Sequence, residues 1–182
     1  MTINNRIIQN NPIDIFIEGW GRMAGAWGIS KVMAEIYALL YVSKHPLSLE
    51  EMSDRLKTSR SNVSLNVRSL LDLGMARKVL IRGDRRDYYT AEEDIVKVAK
   101  RLAIEKKKRE LDPAIEIVEQ AILAADDPAD PGPAGDESYA YCAGHLKSFL
   151  SLMLIVQGVF DSFIDGASRD NLPLEEMNTH NL

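Results

Sequence analysis

The sequence predicts a mainly α-helical protein with one small β-hairpin, and three observations support this fold class. Apolar residues recur three or four apart in segments 12–27, 31–44 and 137–165, as they do on the buried faces of amphipathic helices. Two shorter segments with helix-capping signals follow the second of these. Between residues 75 and 90 the pattern changes to strand-like alternation on both sides of a Gly-Asp turn.

The N-terminal part is predicted to contain two helices. Pro12 lies in the favoured first turn of the helix over 12–27, and Gly28 is expected to end it. Ser30 is the expected cap of a second helix over about 31–44. The glycines inside the first helix are costly there, which indicates that a neighbouring backbone approaches it closely.

Two short helices and a hairpin come next. Ser48 and Glu51 form a capping box that opens a helix ending near Lys57. A second helix over about 60–73 is expected to end at Gly74. Two short helices joined by a tight turn are typical of a helix-turn-helix, and the arginine-rich hairpin after them makes the motif a winged helix.

Basic charge is concentrated in the same part of the chain. Residues 55–89 carry a net charge of +6, whereas the remainder carries −11. This segregation is typical of a module that meets a polyanion with one face, although a solvated basic surface is the alternative. Asparagine and arginine can pair with adenine and guanine in the major groove, and arginine is favoured in the minor groove.

The candidate DNA contacts are the polar and basic side chains of the winged helix. On the second helix of the motif they are Ser59, Arg60, Ser61, Asn62, Ser64, Asn66 and Arg68, all expected at its start or on its outward face. On the hairpin they are Lys78, Arg82, Arg85 and Arg86. Asp84 and Asp87 are expected to fix the hairpin turn or to brace an arginine.

The C-terminal half is predicted to be helical, with two interruptions. Asp112 and Pro113 are expected to end one helix and to start another. A Pro/Gly/Asp linker precedes the long last helix, whose apolar stripe is wider than one neighbouring helix could cover. The terminal helices are therefore expected to form a homodimer. The predicted divisions are 1–28 (dimerisation helix), 29–91 (DNA-binding domain), 92–125 (connecting and dimerisation helices), 126–136 (linker), 137–166 (long helix) and 167–182 (flexible tail).

Several other functions are excluded or disfavoured. Phosphate loops, nucleophile elbows and metal-ligand spacings are missing from the sequence, which disfavours an enzyme and predicts no cofactor or metal. No stretch of the sequence reaches the roughly 18 consecutive apolar residues that a membrane span needs, so no segment is expected to cross a membrane. No secretory signal is evident, and the expected location is the cytoplasm. The single cysteine, Cys142, is expected to be a packed thiol.

Four aromatic residues of the first two helices are candidates for an effector cage. They are Trp20, Trp27, Tyr37 and Tyr41. Such rings could hold a quaternary ammonium ion by cation–π attraction, but at helical spacing they are more commonly core or interface residues.

Particular segments resemble a known family. GDRRDYYTAEED at 83–94, with TSRSNVSLNVRSLLDLGMARKV at 58–79 before it, resembles the GbsR branch of the MarR-type transcriptional regulators. PLSLEEMSDRL at 46–56 and RELDPAIEIVEQA at 109–121 extend the resemblance over roughly residues 12–125. The resemblance implies a prokaryotic, dimeric DNA-binding regulator, and some members of this branch answer to choline-like ligands. As a homodimer, the protein is expected to bind a pseudo-palindromic operator and to act as a repressor. A winged-helix protein-interaction module without DNA binding is the alternative, and the nine basic residues of 55–89 count against it.

Overall fold

The computed structural model describes residues 11–26, 28–125 and 137–167, with the backbone alone for 137–140. These residues belong to two compact units, residues 1–94 and 95–182. The described elements of the first unit are α1 (Pro12–Ala26), α2 (Lys31–Val42), β1 (Leu47–Ser48), α3 (Leu49–Leu56), α4 (Arg60–Asp72), β2 (Ala76–Val79) and β3 (Tyr88–Ala91). Those of the second unit are α5 (Ile95–Lys106), a π-helical turn (Lys107–Leu111), α6 (Asp112–Ala125) and α7 (Glu137–Gly166).

Helices α1 and α2 begin and end where their capping residues predict. Gly28 has a left-handed φ of 73° after the end of α1, and the Ser30 hydroxyl accepts a hydrogen bond from the Met33 amide at the start of α2. Among the glycines of α1, Gly21 is the one at which an added Cβ atom would meet a neighbouring side chain. A Cβ atom there would lie 2.7 Å from Cγ of Glu35, so the close approach involves a side chain of α2 and not its backbone.

The capping signals also define α3 and α4. Ser48 and Glu51 form both hydrogen bonds of the predicted capping box. Ser59 caps α4 by accepting from the Asn62 amide. Gly74, with a φ of 62°, ends α4 in a Schellman motif, because its amide bonds the Leu71 carbonyl and the next amide bonds that of Leu70.

The three described strands form one antiparallel sheet in the order β1-β3-β2. Leu47 lies opposite Tyr89, and Ala76 lies opposite Ala91. The two-residue strand β1 was not predicted, because two residues are too few to show alternation. Strand β2 ends at Val79, so the prediction that the strand continues beyond this residue is wrong. The core of this unit lies between the sheet and the helices, and its most buried large side chains include Ile36, Tyr37, Met52, Val63, Val67 and Leu70.

In the second unit the predicted break at Asp112–Pro113 is wrong. Asp112 has helical angles, φ −61° and ψ −46°, and α5 continues through the π-helical turn into α6. A proline lacks the amide that a regular helix needs and crowds the carbonyl four residues before it. The wider turn at Lys107–Leu111, immediately before Pro113, accommodates both effects without ending the helix.

Helix α7 packs on α5, the π-helical turn and α6. Its segment Tyr141–Gly166 is long and apolar enough to cross a membrane, judged by length and composition alone. The expectation that no segment would qualify was therefore wrong, because it counted only uninterrupted apolar residues. The predicted linker 126–136 and tail residues 168–182 lie outside the described residues.

Candidate nucleic-acid interface

The outward face of α4 is polar and basic at most positions. Val63, Val67 and Leu70 are buried on one side of the helix, whereas Ser61 and Arg68 lie exposed on the opposite side. Ser59 and Arg60 are also exposed, and Ser64 is half-buried. These positions agree with the predicted outward face of a recognition helix.

Asn66 was expected on this face, and the structure corrects that expectation. Its side chain is 9% exposed and lies against the start of α2. Its Nδ2 donates to the carbonyl of Asn62 at 2.8 Å and to its Oδ1 at 3.0 Å, and its Oδ1 accepts from the Ser30 hydroxyl at 3.1 Å. Asn66 therefore positions α4 within its own unit and cannot reach a base edge from this conformation.

Two further candidates have partners within the chain. Asn62 is half-buried, and its Nδ2 donates to Oγ1 of Thr58 at 3.0 Å. Arg60 forms an ion pair with Glu50 of α3. The pKa of Glu50 is lowered, first by a backbone hydrogen bond and then by the hydrogen bond from Arg60. Both side chains would have to exchange these partners for a base or a phosphate.

The hairpin loop is braced by its own aspartates, as predicted. Asp84 accepts from the Arg86 side chain at 2.7 Å and from the Tyr88 hydroxyl at 2.7 Å. These hydrogen bonds hold the pKa of Asp84 far below its usual range. The Arg86 guanidinium also lies 5.2 Å from the centre of the Tyr88 ring. Arg86 therefore stabilises the loop in the absence of DNA.

The remaining hairpin cations differ in their availability. Lys78 pairs with Asp87 at 2.8 Å, which raises the pKa of the lysine. Arg82 and Arg85 are exposed, and neither forms an ion pair within the described residues. Arg77 is an exposed cation of β2 that the sequence-based list of contacts did not include, although it lies inside the basic segment.

The structure brings three of the four candidate cage residues into one row of rings. Trp20 lies 6.5 Å from Tyr37, and Tyr37 lies 5.8 Å from Tyr41. Phe16, which the sequence did not single out, extends the row at 5.8 Å from Trp20. Tyr37 is 1% exposed, so its ring offers no free surface to a ligand in this conformation. Trp27 lies outside the described residues.

The Tyr37 hydroxyl has a structural partner. It donates to the backbone carbonyl of Glu92 at 3.1 Å, and burial raises its pKa. Tyr37 is therefore a core residue, whereas Trp20 is half-buried and Phe16 and Tyr41 are exposed, so the row runs from the core to the surface. Cys142, in contrast, is exposed, which corrects the expectation of a packed thiol, because it lies on a side of α7 that packs on no described residue.

Comparisons with known proteins match the winged helix. The model of the MarR family matches residues 27–87. YvaV of Bacillus subtilis (strain 168), whose name describes an HTH-type transcriptional regulator, is 32% identical over 81 residues, 44% of this chain and 46% of its own length. The HTH-type transcriptional repressor GbsR of the same organism is 27% identical over 108 residues, 59% of each chain. The repressor OpcR is 29% identical over 68 residues, 37% of each chain.

The matched part is limited. The chain spans between about a third and three-fifths of the length of these curated relatives. A solved structure described as that of a transcriptional regulator aligns with 84% of this chain at a TM-score of 0.49 and 18% identity.

Proposed function

We propose that this chain, whose residues 27–87 match the model of the MarR family, binds a specific double-stranded DNA site and acts there as a transcriptional repressor. The observation that carries the proposal is the exposed face of α4, which is polar and basic at most positions, next to a braced hairpin whose exposed Arg82 and Arg85 form no ion pair with the described residues. The recognition helix of such a motif enters the major groove and its basic hairpin lies on the flanking backbone or minor groove. The relatives GbsR and OpcR are named as repressors, which supports the sign of regulation.

The proposed division of labour follows from which side chains are free. Arg82 and Arg85 bind phosphates or the minor groove, because neither has an ion pair to break. Ser61 and Arg68 face the major groove from α4. Arg60 joins them by exchanging Glu50 for DNA, a step that costs little because exposed ion pairs contribute weakly.

A salt titration tests DNA binding. Sites selected by the protein from genomic fragments should lose affinity steeply as salt rises, because bound phosphates release counterions. The double variant Arg82→Ala/Arg85→Ala should flatten the slope of log K against log salt by roughly 0.9 for each lost phosphate contact. The matched control, Lys108→Ala/Arg109→Ala, removes the same charge from the other unit and should leave the slope unchanged. Equal slopes for all three proteins would contradict the assignment of the hairpin.

The proposal includes a homodimer, which the surface of α7 supports. One row of side chains is buried or half-buried where α7 packs on its own unit. Its members follow one another at alternating spacings of three and four, at positions 143, 146, 150, 153, 157, 160 and 164. A second row with the same alternating spacing is exposed: Phe149, Leu152, Val156, Val159 and Phe163. Alternating spacings of three and four are typical of helix–helix packing.

We call this second row the exposed apolar row of α7. Its area is large enough to form an interface with another protein. Its side chains are 40–65% exposed, and Ile155 beside it is exposed as well. At about 180 Å² for each side chain, this amounts to roughly 600 Å², at the upper end of the apolar patches found on monomers. Two copies would bury about 1,200 Å², the lower end of a stable interface. A second copy of the chain is the occupant we propose.

The polar contacts of α7 favour a protein partner over a bilayer. Asp161 pairs with Lys107 at 3.3 Å, and Gln157 donates to Asp112 at 3.1 Å. An ionised pair is costly inside a membrane, whereas at the edge of a helix pair it remains solvated.

Sedimentation velocity tests the dimer. The wild type should sediment as a dimer, and Leu152→Asp/Val159→Asp should give a monomer that loses affinity for the selected site. The matched control Ser151→Asp/Ser162→Asp places the same charges on exposed polar positions of the same helix and should stay dimeric. A monomeric wild type, or a wild type that floats with phosphatidylglycerol vesicles, would contradict the homodimer.

A further inference from the structure

Leu65 is an exposed apolar residue on the outward face of α4. Its side chain is 64% exposed, and it lies on the opposite side of the helix from the buried Val63 and Val67. The residues one turn away on the same face, Ser61 and Arg68, are polar and exposed. Leu65 therefore adds nothing to the core of its own unit and interrupts an otherwise polar surface.

A single exposed leucine is ordinary on a protein surface, so its position must carry the inference. Leu65 is the sixth residue of a 13-residue helix and lies in the N-terminal half, which contacts base edges in a helix-turn-helix. It is flanked by the side chains assigned above to the major groove. An apolar side chain in that place meets base edges rather than phosphates.

Base edges in the major groove present one apolar group, the 5-methyl group of thymine. We propose that Leu65 reads a thymine methyl in each half-site, while Ser61 and Arg68 bind the neighbouring bases or phosphates. Leu65 would thus determine specificity through shape and burial rather than through hydrogen bonds. This inference rests on the proposed function, because it needs the outward face of α4 to lie in the major groove.

The test removes the methyl group and nothing else. In the site selected by the wild-type protein, each thymine is replaced in turn by deoxyuridine, and affinity is measured by fluorescence anisotropy at fixed salt. At one thymine of each half-site the substitution should weaken binding by about fourfold, the effect of losing one buried methyl group. Thymines outside the site should tolerate the same change. This measurement uses the wild-type protein alone and does not depend on how a variant folds.

A double-mutant cycle then assigns the methyl contact to its side chain. Leu65→Ala should bind thymine and deoxyuridine sites equally, with unchanged thermal stability because the side chain is exposed. The matched control is Leu80→Ala, which removes a leucine that is 83% exposed beyond β2 and should keep the fourfold difference. Wild-type binding that no deoxyuridine substitution weakens, or a difference that persists in Leu65→Ala, would overturn this inference and leave the proposed function intact. Failure to select any DNA sequence would overturn the proposed function, and this inference with it.

Discussion

Substitution of Asn66 by alanine separates a positioning residue from a base-reading residue. The asparagine links two parts of the first unit, because it accepts from the Ser30 hydroxyl at the start of α2 and donates to the carbonyl and side chain of Asn62 in α4. Alanine would remove all three hydrogen bonds while keeping a good helix former in α4. The main effect expected is on stability, with a smaller effect on the placement of the recognition helix.

The magnitude follows from burial and from the partners left behind. A neutral hydrogen bond contributes about 1 kcal/mol net, and a buried polar group without a partner costs about 1–3 kcal/mol. Ser30 is exposed, so water can replace its lost partner, and the carbonyl of Asn62 keeps its bond within the helix. Asn66→Ala is therefore expected to lower the free energy of unfolding by about 1–2 kcal/mol, or the melting temperature by roughly 4–16 °C for a unit of this size.

Thermal unfolding of five proteins tests this expectation: the wild type, the two single variants and the double variant of the cycle, and one control. Ser30→Ala should lose its N-cap as well, at about 1 kcal/mol, and should couple to Asn66→Ala in a double-mutant cycle by at least about 0.5 kcal/mol. Ser61→Ala, on the exposed face of the same helix, is the matched control and should unfold like the wild type. An unchanged melting temperature for Asn66→Ala, together with lost discrimination at one base pair, would refute the positioning role.

Three further expectations follow from the geometry. Gly21→Ala should destabilise the protein by up to about 2 kcal/mol in thermal unfolding, because overlap of its Cβ with the Glu35 side chain costs about 1–3 kcal/mol and the helix propensity of alanine returns about 1 kcal/mol. Gly19→Ala, with nothing within 4 Å of its Cβ, should stabilise by up to about 1 kcal/mol. Trp20→Ala should cost about 2 kcal/mol of stability, and calorimetric titration of the wild type with choline should give no heat; heat that the variant loses would assign the row to a ligand. Arg86 keeps the pKa of Asp84 low in the folded chain. The difference in free energy of unfolding between the wild type and Asp84→Asn should therefore be constant from pH 7 to 5 and shrink only below about pH 4. A difference that already shrinks at pH 6 would contradict this.

Capping chemistry made most of the first unit predictable. Ser30, Ser48 and Ser59 each cap a helix at the residue that the sequence indicated, and Gly28 and Gly74 take the left-handed angles that helix ends require. These signals are local, so neighbouring residues suffice to show them. Strand β1, in contrast, depends on its pairing with β3, and the π-helical turn is an irregularity of the backbone that accommodates Pro113. Periodicity could not reveal them.

The candidate site was less predictable than the fold, for a similar reason. Asn66 and Asn62 have the same chemistry in the sequence, and only the position of Ser30 and Thr58 in space shows that both side chains have partners. Leu65 is not among the predicted contacts, because a leucine in an amphipathic helix is more commonly a core residue than a DNA contact. The spacing of Ser61, Leu65 and Arg68 over two turns would have identified it as outward-facing.

The distribution of ion pairs changes what the basic segment means. Four of its nine cations, Arg55, Arg60, Lys78 and Arg86, pair with carboxylates of the same unit, so the net charge of this segment overstates the number of phosphates it can neutralise. The charges of the paired cations are already balanced by neighbouring carboxylates, whereas the unpaired cations can supply their charge to a partner. Exposed pairs of this kind contribute little to stability and break at small cost. A site that closes on DNA can therefore recruit them one at a time, and non-specific binding would use the unpaired cations first.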